Sequence, residues 1–246
     1  MEQPQRTGPR PLVPAAMRLP AAVILVVCVA VTVLLGVMLT RQGRAGPFDR
    51  WADARIQSGF GGQWRALSDL AGLGDLMPVA VMTVALFLAC LVTRRWRGAV
   101  LVAVAVPAAA GLAEIVLKPL IGRTLTGALS FPSGTETRVF AVAAVFAVLM
   151  ADPVRPRIPA AVRQALAGAV LLAAGAVAIA LVVLGQHYFT DTVGGAAVGI
   201  AVALAAALVI DRLAAYLYLF LAVNTLCRAG DWLRAVSFSC EPQLYT

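Results

Sequence analysis

Six long apolar stretches, separated by short polar segments, dominate this 246-residue sequence. They lie near Leu19–Thr40, Met77–Thr93, Ala99–Leu117, Thr137–Ala151, Leu166–Leu184 and Thr192–Ile210. Stretches of about 20 apolar residues are long enough to cross a bilayer core of about 30 Å as helices. Because lipid offers no water to satisfy backbone polar groups, such stretches fold as helices and not as irregular chain. The sequence therefore predicts an all-α polytopic membrane protein with a six-transmembrane-helix bundle.

The polar segments at the two ends and between the helices define the organisation that we expect. Residues 1–18 form a cytoplasmic N-terminal tail, residues 19–210 form the membrane domain, and residues 211–246 form an interfacial or cytoplasmic C-terminal tail. Pro47–Phe60 predicts a short amphipathic helix at the outer surface. The fourth apolar stretch is the shortest, and we expect its helix to begin near Ser133.

Arginine distribution predicts the orientation in the membrane. Three segments on one side of a six-helix bundle are rich in arginine: Arg6, Arg10, Arg18, Arg94, Arg95, Arg97, Arg155, Arg157 and Arg163. Cytoplasmic segments of membrane proteins carry an excess of basic residues. We therefore expect an integral plasma-membrane protein with a cytoplasmic N terminus. The loops that contain Lys118, Ser133 and His187 then face the extracytoplasmic side. The net charge of +8 serves topology and contact with anionic lipids, and no nucleic-acid partner is expected.

The only histidine of the chain, His187, lies in the polar segment 185–191, four residues before Asp191. If this segment is helical, the two side chains share one face. A carboxylate that accepts a hydrogen bond from one imidazole nitrogen leaves the other nitrogen free to attack an electrophile. The alternative is an interfacial histidine beside an aspartate at a helix N-terminus. The glycines that follow predict close helix packing: Gly194, Gly195 and Gly199.

The only lysine of the chain, Lys118, begins a second polar motif, residues 118–123, that ends at Arg123. Glu114 precedes the lysine by four residues, which is the spacing of an ion pair on a helix. Both cations would lie at the end of the third membrane helix. The alternative is a lysine that extends to the interface and an arginine that contacts lipid headgroups.

A third motif, residues 131–138, precedes the fourth helix. Ser133 and Glu136 have the spacing of a capping box. A capped helix start exposes backbone N–H groups and the positive end of the helix dipole, which together bind phosphate well. Thr135 and Arg138 stand three residues apart, so they would share one face of the first turn.

The order of lysine and arginine, Pro-Ser-Gly, and His-x-x-x-Asp on three outer loops resembles the type 2 phosphatidic acid phosphatase family. This family belongs to the lipid phosphatase and vanadium haloperoxidase superfamily, and the resemblance covers roughly residues 48–210. It implies that His187 attacks phosphorus to form a phosphohistidine and that Asp191 orients it. The candidate phosphate-binding residues are Lys118, Arg123, Ser133, Gly134, Thr135 and Arg138.

The chain departs from the family pattern and resembles a divergent member. Thr135 stands where the family has a histidine that protonates the leaving group, and Leu181 stands where it has a phosphate-binding arginine. The usual Arg-Pro of the first motif aligns with Leu125 and Thr126. Loss of a positioned general acid costs on the order of 100- to 10,000-fold in rate. A diphosphate leaving group needs that proton less than an alkoxide does. We therefore expect activity that is weak, narrow or absent, with a prenyl diphosphate as the better substrate and Arg138 in place of the missing arginine.

Two functions from different classes fit the sequence. The first is a metal-independent membrane enzyme that hydrolyses a lipid phosphate or prenyl diphosphate at the outer face through a phosphohistidine. The second is a catalytically silent relative that binds lipid phosphate or supports a partner membrane enzyme. One histidine and scattered carboxylates predict neither a metal centre nor another cofactor. A transporter is not favoured because the apolar stretches contain almost no ionisable residues.

Overall fold

The computed structural model describes residues 11–60, 62–151 and 158–238. Its helices are α1 (Ala15–Leu39), α2 (Pro47–Phe60), α3 (Trp64–Gly72), α4 (Leu76–Val92), α5 (Trp96–Gly111), α6 (Lys118–Ile121), α7 (Gly134–Ala151), α8 (Ala160–Val183) and α9 (Phe189–Phe238). A π-helical turn, Leu112–Leu117, joins α5 to α6. The short strands β1 (Thr124–Leu125) and β2 (Ala128–Leu129) pair as an antiparallel hairpin. The prediction of an all-α fold is confirmed.

The long helices coincide with the apolar stretches of the sequence. Five segments of the described chain are long and apolar enough to cross a membrane: Ala15–Leu39, Trp96–Ile121, Gly134–Ala151, Ala160–Val183 and Phe189–Leu221. A sixth span results if α3 and α4, which meet at an angle of 50°, are counted as one bent segment. The amphipathic helix predicted over Pro47–Phe60 is present as α2. Several apolar helices of this length indicate an integral membrane protein.

Helix α9 is longer than the sequence analysis expected. It continues through the predicted boundary at residue 210 to Phe238, without a proline in its 50 residues. The expected C-terminal tail therefore begins as a direct extension of the last membrane helix, and residues 239–246 lie outside the described residues. Asp211, inside α9, accepts hydrogen bonds from the backbone N–H groups of Leu12 (2.7 Å) and Val13 (2.9 Å). These bonds attach the segment before α1 to α9. The expectations for Arg6, Arg10, Arg155 and Arg157 also lie outside the described residues.

Helix α7 is the centre of the bundle. It packs against α9, α8 and α5, and 61% of its apolar segment is buried inside the protein, against 17% for α1. Small residues allow the closest approach, between α7 and α9. A Cβ atom added at Gly199 would lie 2.5 Å from the carbonyl oxygen of Thr137, and one added at Gly195 would lie 2.5 Å from the carbonyl oxygen of Ser133. The prediction that these glycines allow close helix packing is confirmed.

Replacing Gly199 with alanine is expected to lower the free energy of unfolding by about 1–3 kcal/mol, because the new methyl group would push α9 away from the α7 backbone. Gly175→Ala on α8 is the matched control, since no atom lies within 4 Å of a Cβ at that position. Thermal unfolding of both variants in detergent micelles measures the difference. Equal midpoints for the two variants would contradict the contact between α7 and α9.

Candidate active site

The three polar motifs of the sequence meet at one end of the bundle. The backbone N–H of Ser133, before α7, donates a hydrogen bond of 3.0 Å to the carbonyl oxygen of Asp191 in the first turn of α9. Arg123, after α6, donates to the carboxylate of the same aspartate at 2.6 Å. Glu114, in the π-helical turn before Lys118, lies against Gly134. Motifs that are far apart in sequence therefore form one cluster.

The first turn of α7 has the properties of an anion cradle. The Ser133 side chain caps this turn, since its Oγ accepts a hydrogen bond of 3.3 Å from the N–H of Glu136. The backbone carbonyl oxygen of Ser133 accepts a hydrogen bond of 3.0 Å from the N–H of Thr137. Within the described ranges, the N–H groups of Gly134 and Thr135 donate to no protein atom. Free N–H groups in a first turn, at the positive end of the helix dipole, favour an anionic ligand.

The capping box predicted for Ser133 and Glu136 forms only on one side. Glu136 is fully buried, and neither of its carboxylate oxygens accepts a hydrogen bond from any residue that the structure describes. Its side chain therefore does not return to cap the helix, and the backbone N–H of Ser133 binds Asp191 instead. The half of the capping box that was expected from Glu136 is therefore missing.

Two cations face the cradle. Lys118 Nζ donates to both carboxylate oxygens of Glu114, at 2.8 and 2.9 Å, which confirms the ion pair predicted from the spacing of four residues. Arg138 Nη2 lies 3.4 Å from Thr135 Oγ1, so the predicted shared face of these two residues is also present. Arg138 Nη1 lies 3.9 Å from Glu114 Oε1. A Cβ atom added at Gly134 would be only 1.7 Å from this same oxygen. The Glu114 carboxylate therefore lies between Lys118, Arg138 and the start of α7.

His187 lies just outside α9, which begins at Phe189, so the two side chains do not share the face of one helix. The turn nevertheless brings the imidazole close to Asp191, with 3.7 Å between Nδ1 and Oδ2. This distance exceeds that of a hydrogen bond, and Nδ1 is buried without a partner among the residues described. The side chain is 16% exposed. The predicted pair is close in space but not bonded.

Asp191 is held by other groups. Its Oδ1 accepts from Arg123, and its Oδ2 accepts a hydrogen bond of 3.3 Å from the backbone N–H of Tyr188. The guanidinium of Arg123 is fully buried, forms a second ion pair with Asp49 of α2, and lies 4.4 Å from the centre of the Tyr188 ring. This geometry departs from the expectation that Arg123 binds phosphate. Its charge is used to fix Asp191, and Lys118 and Arg138 are the cations that face the cradle.

Helix α2 contributes two carboxylates that the sequence analysis did not include in the site. Asp49 Oδ1 accepts a hydrogen bond of 3.0 Å from the backbone N–H of Thr190, and Asp53 Oδ1 accepts one of 3.0 Å from that of Phe189. The two aspartates stand four residues apart, so they share one face of α2. The spacing of four residues between Asp49 and Asp53 was the sequence signal that could have indicated their shared role. Together they fix the start of α9, next to the histidine.

Burial raises the pKa of Asp53 from 3.8 to about 6, and the neighbouring carboxylates of Asp49 and Asp191 add to this effect. The hydrogen bond from Phe189 and the charge of Arg123 act in the opposite direction. Because the folded pKa lies above the unfolded one, the folded state holds the proton more tightly. The stabilising contribution is complete below about pH 4 and is lost as the pH rises to about 6.

Asp53→Asn should remove this pH dependence, because an amide does not titrate and its oxygen still accepts from Phe189. We expect the unfolding midpoint of the wild type, relative to the variant, to fall between pH 4 and pH 6 and to stay level above. Thermal unfolding at a series of pH values measures this difference. A constant difference between pH 4 and pH 7 would contradict the role given to Asp53.

Three of the positions at which the sequence departs from the family pattern, Leu181, Leu125 and Thr126, have structural roles. Leu181, a residue of α8, is 2% exposed and belongs to the hydrophobic core. Leu125 lies in β1, and Thr126 begins the two-residue turn to β2, with φ values of 51° at Thr126 and 88° at Gly127. Positive φ at both positions is typical of the tightest hairpins. In the part of the chain that the structure describes, no group of three His, Cys, Asp or Glu residues is arranged to hold a metal ion.

Residues 117–215 match the family model of the PAP2 superfamily. This region includes all three motifs, from Lys118 to Asp191, whereas α2 and its aspartates lie outside it. No curated protein and no solved structure gives a significant match.

Proposed function

We propose that the chain is a membrane phosphatase that hydrolyses a lipid phosphate or a prenyl diphosphate, because residues 117–215 match the family model of the PAP2 superfamily. The match to this superfamily supports a phosphatase-type function and a lipid-phosphate substrate. One observation supports the position of the site. The hydrogen bond from Ser133 to Asp191 holds the cradle at the start of α7 next to the turn that contains His187.

We propose the following chemistry. A nitrogen of His187 attacks phosphorus, a P–N bond forms, and the P–O bond to the leaving group breaks. Water then cleaves the phosphohistidine and releases inorganic phosphate. Lys118, Arg138 and the free N–H groups of Gly134 and Thr135 stabilise the charge on the phosphoryl oxygens. No step requires a metal ion or another cofactor.

The lack of a good proton donor for the leaving group favours a diphosphate substrate. Thr135 occupies the position of the family's proton donor, and its hydroxyl lies near Arg138 Nη2, at 3.4 Å. A hydroxyl of ordinary acidity is a poor proton donor at neutral pH. A departing phosphate is stable without an added proton, whereas an alkoxide is not. We therefore place prenyl diphosphates ahead of phosphatidic acid.

We propose that the site faces the extracytoplasmic side. Arg94 and Arg95 lie at the start of α5, whereas Lys118 follows its end, so the arginines lie across the bundle from the cradle. Since arginine-rich segments favour the cytoplasm, the cradle falls on the outer face and the N terminus inside. The proposed membrane domain is residues 19–210, with residues 1–18 and 211–246 as its flanking tails.

A turnover assay tests the proposed function. Purified full-length protein is incubated in mixed micelles with a prenyl diphosphate or with phosphatidic acid, with EDTA present, and released phosphate is measured. We expect release from both substrates, faster from the diphosphate. The departures at Thr135 and Leu181 support a second candidate, a silent relative that binds lipid phosphate. Retained binding of both lipids without phosphate release would support that candidate and overturn the enzyme.

A further inference from the structure

The carboxylate of Glu114 lies where an anionic ligand of the cradle would bind. Its Oε1 lies against Gly134, 2.9 Å from Lys118 Nζ and 3.9 Å from Arg138 Nη1. Its other oxygen, Oε2, also accepts from Lys118. A carboxylate and a phosphate both offer anionic oxygens to ammonium, guanidinium and backbone N–H donors. Glu114 therefore pairs with the two cations, Lys118 and Arg138, that a phosphate in the cradle would need.

The exposure of these side chains shows which one is able to leave. The Glu114 side chain is 40% exposed, whereas Lys118 is 14% exposed and Arg138 is 17% exposed. The protein encloses the two cations more fully than the carboxylate, so the carboxylate is the group with room to move away. Glu114 also belongs to the π-helical turn between α5 and α6, and such turns are frequent at functional sites.

We propose that Glu114 is an intramolecular competitor for the phosphate cradle. A phosphate enters only when it displaces this carboxylate from Lys118, Arg138 and Gly134. The inference rests on the proposed function in one respect, which is that the ligand of the cradle is a phosphate group.

Displacement weakens the binding of every phosphate, but its effect on occupancy depends on the rest of the ligand. Inorganic phosphate has only its own oxygens to offset the loss of the Glu114 ion pair. A lipid phosphate is anchored in the bilayer by its apolar chain, so its headgroup is already concentrated near the cradle. Glu114 therefore keeps soluble phosphate out and promotes release of the inorganic phosphate that hydrolysis produces.

Binding of inorganic phosphate to the purified full-length chain tests the proposal, with isothermal titration calorimetry as the readout. Glu114→Gln keeps the shape of the side chain and removes its charge. We expect it to bind phosphate about tenfold more tightly than the wild type, because juxtaposed like charges weaken binding strongly. Asp69→Asn, which removes an exposed carboxylate from α3, is the matched control and should leave the affinity unchanged. Glu114→Ala should bind phosphate at least as tightly as Glu114→Gln.

The outcomes separate this proposal from the proposed function. Equal phosphate affinities in the wild type, Glu114→Gln and Glu114→Ala would overturn the competitor role, even if the wild type hydrolyses lipid substrates. Tighter binding in both Glu114 variants, without hydrolysis by any of them, would support the competitor role and overturn the enzyme. A gain of the same size in Asp69→Asn would overturn the proposal, since it would show a general charge effect. Thermal unfolding midpoints confirm that the variants compared are folded.

Discussion

Replacing His187 with alanine is expected to lower phosphate release by more than about 10,000-fold, because the reaction then has no nucleophile. The chain has no second histidine to replace it. The loss should appear in kcat with all substrates, since the cradle at the start of α7 remains intact and still binds phosphate. The measurement is steady-state phosphate release from a prenyl diphosphate.

Gln186→Ala is the control for this loss. Gln186 is exposed and adjacent to the histidine, so its replacement disturbs the same turn without removing the imidazole. We expect its kcat to stay within a few-fold of the wild type. A His187→Ala protein that retains a tenth of the wild-type rate, while phosphate binding is normal, would exclude the histidine as nucleophile.

Replacing Arg123 with methionine is expected to lower the free energy of unfolding by about 3–5 kcal/mol, the largest loss of stability that we predict. Asp49 and Asp191 would be left as buried carboxylates without their shared cation. The guanidinium is fully buried and donates to both carboxylates and to the Thr190 hydroxyl. Its loss also releases Asp191 from its fixed position beside His187. Chemical or thermal unfolding in micelles measures the change.

The matched control is Arg55→Gln on α2, because Arg55 is exposed and its guanidinium lies 6.0 Å from the Trp51 ring. Its replacement should change the free energy of unfolding by less than about 0.5 kcal/mol. Similar losses in both variants would show that Arg123 has no special structural role. A stable Arg123→Met protein with weakened phosphate binding would restore the original expectation that Arg123 is a phosphate ligand.

The sequence predicted those features that depend on local spacing. Apolar segments of sufficient length gave the membrane helices, and spacings of three and four residues gave the pairs Glu114–Lys118 and Thr135–Arg138. The glycines at 194, 195 and 199 predicted close helix packing, and the structure shows that Gly195 and Gly199 pack against the backbone of α7.

Features that depend on contacts across the fold were not predictable from spacing. Arg123 meets Asp191 and Asp49 at sequence separations of 68 and 74 residues, so nothing near the arginine indicated that it would be buried. The position of the Glu114 carboxylate against Gly134 likewise depends on how the π-helical turn meets α7. His187 lies outside the helix because α9 begins two residues later, where Asp49 and Asp53 accept from its first N–H groups.

A search for the covalent intermediate tests most directly whether His187 is the nucleophile. The protein is mixed with a prenyl diphosphate labelled with ³²P at its terminal phosphate, quenched rapidly in alkali, and analysed for protein-bound label. We expect label on the wild type and on Gln186→Ala that is stable in alkali, labile in acid and located at residue 187. His187→Ala should carry no label. Equal labelling of His187→Ala, or label on another residue of the wild type, would show that His187 does not carry the phosphoryl group.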